Sequence, residues 1–167
     1  EDLGGSVNCL PGGTACVSLP SEISAKVASQ CTGANKEPEF QIISKRFNAY
    51  ASAELPNQKL SKTTADISLY CTDTTTGDKT SLDISGLTEG ISFPFSADEG
   101  QFLHEKSCVA WDSGTSQFSA DGITVTNISS DKRSGTCVST HMTEFADEYQ
   151  AGTVADSGSF ISVVKFI

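Results

Sequence analysis

Six cysteines, at positions 9, 16, 31, 71, 108 and 137, constrain this chain more than any other feature. No two of them form C-x-x-C, and there are only two histidines, so the ligand spacing of a zinc site is missing. An even number of cysteines in a chain rich in Ser, Thr and Gly reads instead as a disulfide framework. Such a framework persists in an oxidising compartment, so the expected location is extracellular or at the cell surface, reached through the secretory pathway. The sequon Asn127-Ile128-Ser129 agrees and makes Asn127 a candidate glycosylation site.

A length of 167 residues implies one domain, 1–167, able to bury roughly 70% of the surface of its unfolded chain. Net charge is -10, from 21 acidic and 11 basic residues. That balance excludes nucleic acid, whose phosphates need a Lys/Arg surface, and anionic membrane surfaces. No apolar run approaches the ~18 residues of a membrane span; the best, "FISVVKFI" at 160–167, is eight residues long. Glu1 in place of an initiator Met reads as a processed or excised piece. No cofactor motif is present, and Asp73 and Asp78, around the turn "TTTGDK", lack EF-type calcium spacing.

Residues 1–20 carry four glycines and two prolines and read as a loop-rich entry holding Cys9 and Cys16. "SEISAKVASQ" at 21–30 predicts a short helix, with Ser21 as N-cap and Ile23, Val27 and Ala28 at helical spacing. From residue 39 the pattern changes to strands. "EFQIISKRFNAYAS", "ADISLYCTD", "SLDISGL", "ISFPFSA", "QFLHEKSCVAW", "ITVTNIS", "GTCVSTHMTEF" and "SFISVVKFI" follow at short spacing, separated by polar turns. Many short strands with such turns predict an all-β, disulfide-bonded sandwich with one or two short helices.

Two motifs carry candidate chemistry. Asp112-Ser113-Gly114-Thr115 and Asp156-Ser157-Gly158-Ser159 both fit the D-[ST]-G-[ST] loop of aspartic proteases, in which two carboxylates share a proton. They stand only 44 residues apart, too few for a lobe between them. Asx-type turns account for both.

The second motif is longer and reads "CVAWDSGTSQFSADGITVTNISSDKRSGTCVSTHMTEFA", residues 108–146. It resembles the GPS motif that closes GAIN domains, found in adhesion G-protein-coupled receptors and polycystin-1-like proteins. That pattern runs C-x-x-W-[DN], then W-S-x-x-G-C, then C-x-C-x-H-L-[ST]-x-F-A. Cys108, Trp111 and Asp112 fit the first part, Phe118-Ser119 stands for Trp-Ser, and Gly122 fits. Cys137, His141, Thr143, Phe145 and Ala146 fit the last part. Two motif cysteines are replaced, by Ile123 and Ser139, and Met142 stands where the family has Leu. In the family the first cysteine pairs with the third and the second with the fourth. The resemblance therefore implies one intact bridge, Cys108–Cys137, and one bridge lost as a whole. Cys9, Cys16, Cys31 and Cys71 remain for two more bridges, with three connectivities open.

The resemblance also implies a reaction on the chain itself. His141 would act as general base, Thr143 as nucleophile and the Met142 carbonyl as electrophile, cutting between Met142 and Thr143. The peptide would need distortion held by the surrounding sheet. The fragment 143–167 would stay associated as strands of the sandwich. In the receptors the segment after the cut is a tethered agonist; here Asp147 and Glu148 stand where the family is apolar. His104 reads as a surface residue, and Trp111 as core covering the Cys108–Cys137 bridge.

The expected function is thus an extracellular GAIN/GPS-like module of a larger cell-surface or secreted protein, self-cleaved at most once and not a turnover enzyme. Its partners are its own fragment 143–167, neighbouring domains or further copies. The alternative is an uncut structural or adhesive building block, with 158–167 adding a strand to a neighbouring copy.

Overall fold

The computed structural model describes residues 3–9, 16–45, 60–61 and 64–148. The segment 149–167, with the second D-S-G motif and the strand predicted at 158–167, lies outside the described residues.

The β-branched and aromatic segments form strands whose inward side chains alternate, as a sheet with one buried face requires. One sheet has the order β1-β2-β6-β10-β9, from Val7–Cys9, Cys16–Ser18, Ile91–Ser96, Ser134–Ser139 and Ile123–Thr126. The other has the order β3-β4-β11-β7-β8, from Lys36–Lys45, Thr64–Asp73, Glu144–Asp147, Cys108–Asp112 and Gln117–Ser119. The short β5, Lys79–Ser81, pairs with β4. Every pairing among the described residues is antiparallel. The two sheets form a disulfide-bonded β-sandwich.

The inner faces interdigitate through one apolar cluster that includes Phe93 and Val125 of the first sheet and Ile67, Leu69 and Phe145 of the second. Phe93 and Phe145 meet across it with ring centroids 4.9 Å apart. Each fully buried side chain of this kind contributes about 1.5–3 kcal/mol. A smaller cluster of Leu60, Val109, Phe118 and Ala146 covers the outer face of β7, with Trp111 set edge-on to Phe118 at 5.4 Å. Trp111 therefore does not cover the bridge. It lies three residues from Cys108 on a strand, so the two project to opposite faces.

Three disulfides close the structure. Cys9–Cys16 joins β1 to β2, Cys31–Cys71 ties the chain just past the helix to β4, and Cys108–Cys137 crosses between the two sheets.

Three local expectations are revised. The helix α1 spans Ile23–Gln30 with Ile23 and Val27 buried, but Ala28 is exposed and the N-cap position is Glu22, which makes no side-chain cap bond. The Glu22 carboxylate instead accepts the backbone N–H groups of Thr88 and Glu89. The strand expected over "SLDISGL" ends at Ser81. Beyond it, Leu82, Ile84 and Leu87 are buried in irregular backbone, their apolar side chains filling the edge of the core. The strand expected over "GTCVSTHMTEF" divides into β10 and β11, one in each sheet. Residues 140–143 are the crossing.

Candidate functional site

That crossing holds His141, Met142 and Thr143. Its backbone is tied on both sides. The Leu87 N–H donates to the Thr140 carbonyl and the Met142 N–H to the Ile84 carbonyl, both at 2.9 Å. The Ile67 N–H donates to the Thr143 carbonyl at 3.0 Å. The irregular segment after β5 thus acts as the support for the crossing, which gives its buried, non-strand conformation a reason.

Beside the crossing lies a cleft of about 360 Å³, lined among others by Ile84, Trp111, Asp112, His141, Met142 and Thr143. His141 is half-buried, and burial lowers its pKa below the ordinary histidine value, with the charge of Asp112 opposing. The ring is therefore neutral at neutral pH, the form a general base requires. Asp112 is held below the usual carboxylate range, first by the Thr115 hydroxyl and then by the Gly114 N–H, both at 2.8 Å. These bonds form the turn that opens β8, so the first D-S-G motif is an Asx-type turn. Asp112 stays ionised there, a negative charge on the wall of the cleft.

The hydroxyl of Thr143 donates to the Trp111 carbonyl at 3.3 Å. No hydrogen bond joins it to His141 among the described residues. His141 turns toward Ser139: the Ser139 hydroxyl donates to the His141 carbonyl at 2.8 Å, accepts the His141 N–H at 3.3 Å, and lies 3.5 Å from Nδ1. None of residues 141–143 has a positive φ, so the backbone strain expected at the cut is not of that kind. No described donor reaches the Met142 carbonyl oxygen, where negative charge would develop.

Gly122 has φ +71, and a Cβ there would lie 2.4 Å from Thr140 Oγ1 and 3.5 Å from His141 Nδ1. The motif glycine thus makes room for the crossing. Ile123 and Ser139 are direct cross-strand partners in β9 and β10. The two positions at which the sequence departs from the cysteines of the GPS pattern therefore face one another. Sequence reasoning noticed Ser139 only as a missing cysteine; its spacing of two from His141 was the available signal of contact.

Asp73 is held down to about pKa 2, first by Lys36 at 2.9 Å and then by the N–H groups of Thr75 and Thr76. It caps a turn. Among the described residues no cluster of His, Cys, Asp or Glu could hold a metal ion, and no helix is long and apolar enough to cross a membrane. Asn127 is exposed, directly after β9, with φ 52.

No protein-family model matches the chain, and no curated protein matches it.

Proposed function

We propose that the chain is an extracellular GAIN/GPS-like module of a larger cell-surface or secreted protein, and that it cuts itself once between Met142 and Thr143. The observation that carries this reading is the place of His141 and Thr143. Both line one cleft in the crossing between two sheets that a disulfide clamps together. The neutral imidazole and the backbone ties at Met142 and Thr143 support it. The geometry described is the resting one: rotation of the Thr143 side chain from the Trp111 carbonyl toward His141 starts the reaction. The hydroxyl proton passes to the imidazole as Oγ1 bonds to the Met142 carbonyl carbon. The C–N bond then breaks, and the imidazolium returns the proton to the Thr143 nitrogen. Water hydrolyses the resulting ester to the Met142 carboxylate and the Thr143 hydroxyl.

The products stay together because β11 is an internal strand, paired with β4 on one side and β7 on the other. Secretion is supported by the three bridges and by the exposed sequon at Asn127, whose glycan an amidase-induced mass shift of the secreted protein would reveal.

The second reading is the uncut structural or adhesive module. The Thr143–Trp111 bond favours it. The intact mass of the denatured, reduced protein decides. Two species divided at Met142/Thr143, abolished by Thr143→Ala, establish self-cleavage. A single full-mass species after prolonged incubation removes it and leaves the structural module. Unchanged sizing of a chain lacking 158–167 would then exclude assembly by strand exchange.

A further inference from the structure

We propose that Ser139 is the positioning residue for His141: its buried hydroxyl selects the Nδ1–H tautomer and leaves Nε2 as the basic nitrogen of the site. The functional meaning of this assignment rests on the self-cleavage reading; the assignment itself stands on geometry.

Ser139 ends β10 and is fully buried, at 0% exposure. A serine hydroxyl has one proton and two lone pairs. The proton is committed to the His141 carbonyl at 2.8 Å, and the His141 N–H takes one lone pair at 3.3 Å. One lone pair is left over, and the oxygen lies 3.5 Å from His141 Nδ1. With its only proton used, the hydroxyl can meet Nδ1 only as an acceptor, so the imidazole must carry hydrogen there. A neutral ring protonated at Nδ1 has its free lone pair on Nε2.

The ring is held in this place from two other sides. Gly122 borders it, where a Cβ would stand 3.5 Å from Nδ1 in ordinary contact, and the Phe145 ring lies 6.3 Å away, centroid to centroid. The arrangement follows the logic of a base oriented by a third group, with a serine hydroxyl in the orienting role. The proton of Thr143 would then pass to Nε2 and return from it to the Thr143 nitrogen.

His104 provides a built-in contrast. Its Nδ1 accepts the Lys106 N–H at 3.2 Å, so its hydrogen sits on Nε2. The two histidines of this chain are assigned opposite tautomers by their neighbours.

Long-range nitrogen–proton NMR of the full, disulfide-bonded chain at about pH 8, above the ordinary histidine range, reads both rings directly. His104→Gln assigns the signals. The expected result is Nδ1–H for His141 and Nε2–H for His104. Ser139→Ala should shift His141 toward Nε2–H severalfold, and Ser139→Thr, which keeps a hydroxyl, should restore the wild-type pattern. Where the wild-type chain cleaves, Ser139→Ala should slow cleavage about 10–100-fold, as loss of an orienting partner does. An Nε2–H tautomer for His141 in the wild-type chain overturns the proposal, as do unchanged populations in folded Ser139→Ala. Failure of the wild-type chain to cleave overturns the self-cleavage reading alone, because the tautomer is read without turnover.

Discussion

Ile123 and Ser139 sit directly opposite one another across β9 and β10, and the bond from the Thr140 N–H to the Gly122 carbonyl makes theirs a non-hydrogen-bonded pair. Such pairs bring Cα atoms to about 4.5 Å, within the range a disulfide spans. These are the two positions at which the sequence lacks a cysteine of the GPS pattern it resembles. A single cysteine at either position would leave a buried thiol facing an apolar or polar neighbour with no partner.

Ile123→Cys with Ser139→Cys should therefore oxidise to a fourth bridge. Closing a loop of about 17 residues contributes ~3 kcal/mol, and loss of the Ile123 side chain and the Ser139 bonds offsets part of it. The net expectation is a gain of about 1 kcal/mol. A free-thiol titration reading zero, together with a raised denaturation midpoint, checks it. Persistent thiols in the folded double variant would show the register to be wrong.

The Cys108–Cys137 bridge closes the sheets on each other with a sequence separation of 29, against 7 for Cys9–Cys16. Replacing both Cys108 and Cys137 by Ala should cost about 3–4 kcal/mol. The same change at Cys9 and Cys16 should cost about 1 kcal/mol less, because the loop is shorter. Urea unfolding of the two variants compares them directly.

Gly122→Ala places a Cβ against Thr140 Oγ1 at a position of positive φ. The backbone term alone costs about 1–2 kcal/mol. The displaced Thr140 shifts the crossing that carries His141, so any cleavage should slow as well. Thermal unfolding and the cleavage time course measure the two effects.

His141 gives the site a defined pH response. Its folded pKa lies below the ordinary 6.5 because burial disfavours the charged ring. Between 6.5 and that lower value the unfolded chain binds more protons than the folded one. Stability therefore falls as pH drops through this window and is flat above it. The rate of any self-cleavage, which needs the neutral ring, should be level at neutral pH and decline only below the ordinary histidine value. His141→Gln should remove that component of the stability profile, as equilibrium unfolding across pH 5–8 would show.

Much of the fold was readable because the strand period is local. The alternation in "ADISLYCTD", "ISFPFSA" and "ITVTNIS" directs the apolar residues of β4, β6 and β9 inward regardless of partner. The helix over Ile23–Gln30 was equally local. Where apolar residues serve as support without pairing, as at Leu82, Ile84 and Leu87, periodicity carries no signal that distinguishes them from a strand. The break between β10 and β11 was invisible for the same reason: residues on either side have strand chemistry, and only the presence of a second sheet makes the chain cross.

The sequence by itself determined which residue types the site would contain: a histidine two before a threonine, cysteines at 108 and 137, a glycine at 122. Tertiary structure decided how they meet. It set Ser139 against His141, turned the Thr143 hydroxyl to the Trp111 carbonyl, and placed Ile123 opposite Ser139. Spacing along a chain specifies faces and turns, whereas a cross-strand partner 16 residues away or a hydrogen-bond partner 32 residues away depends on register between strands, which the packing of both sheets selects together.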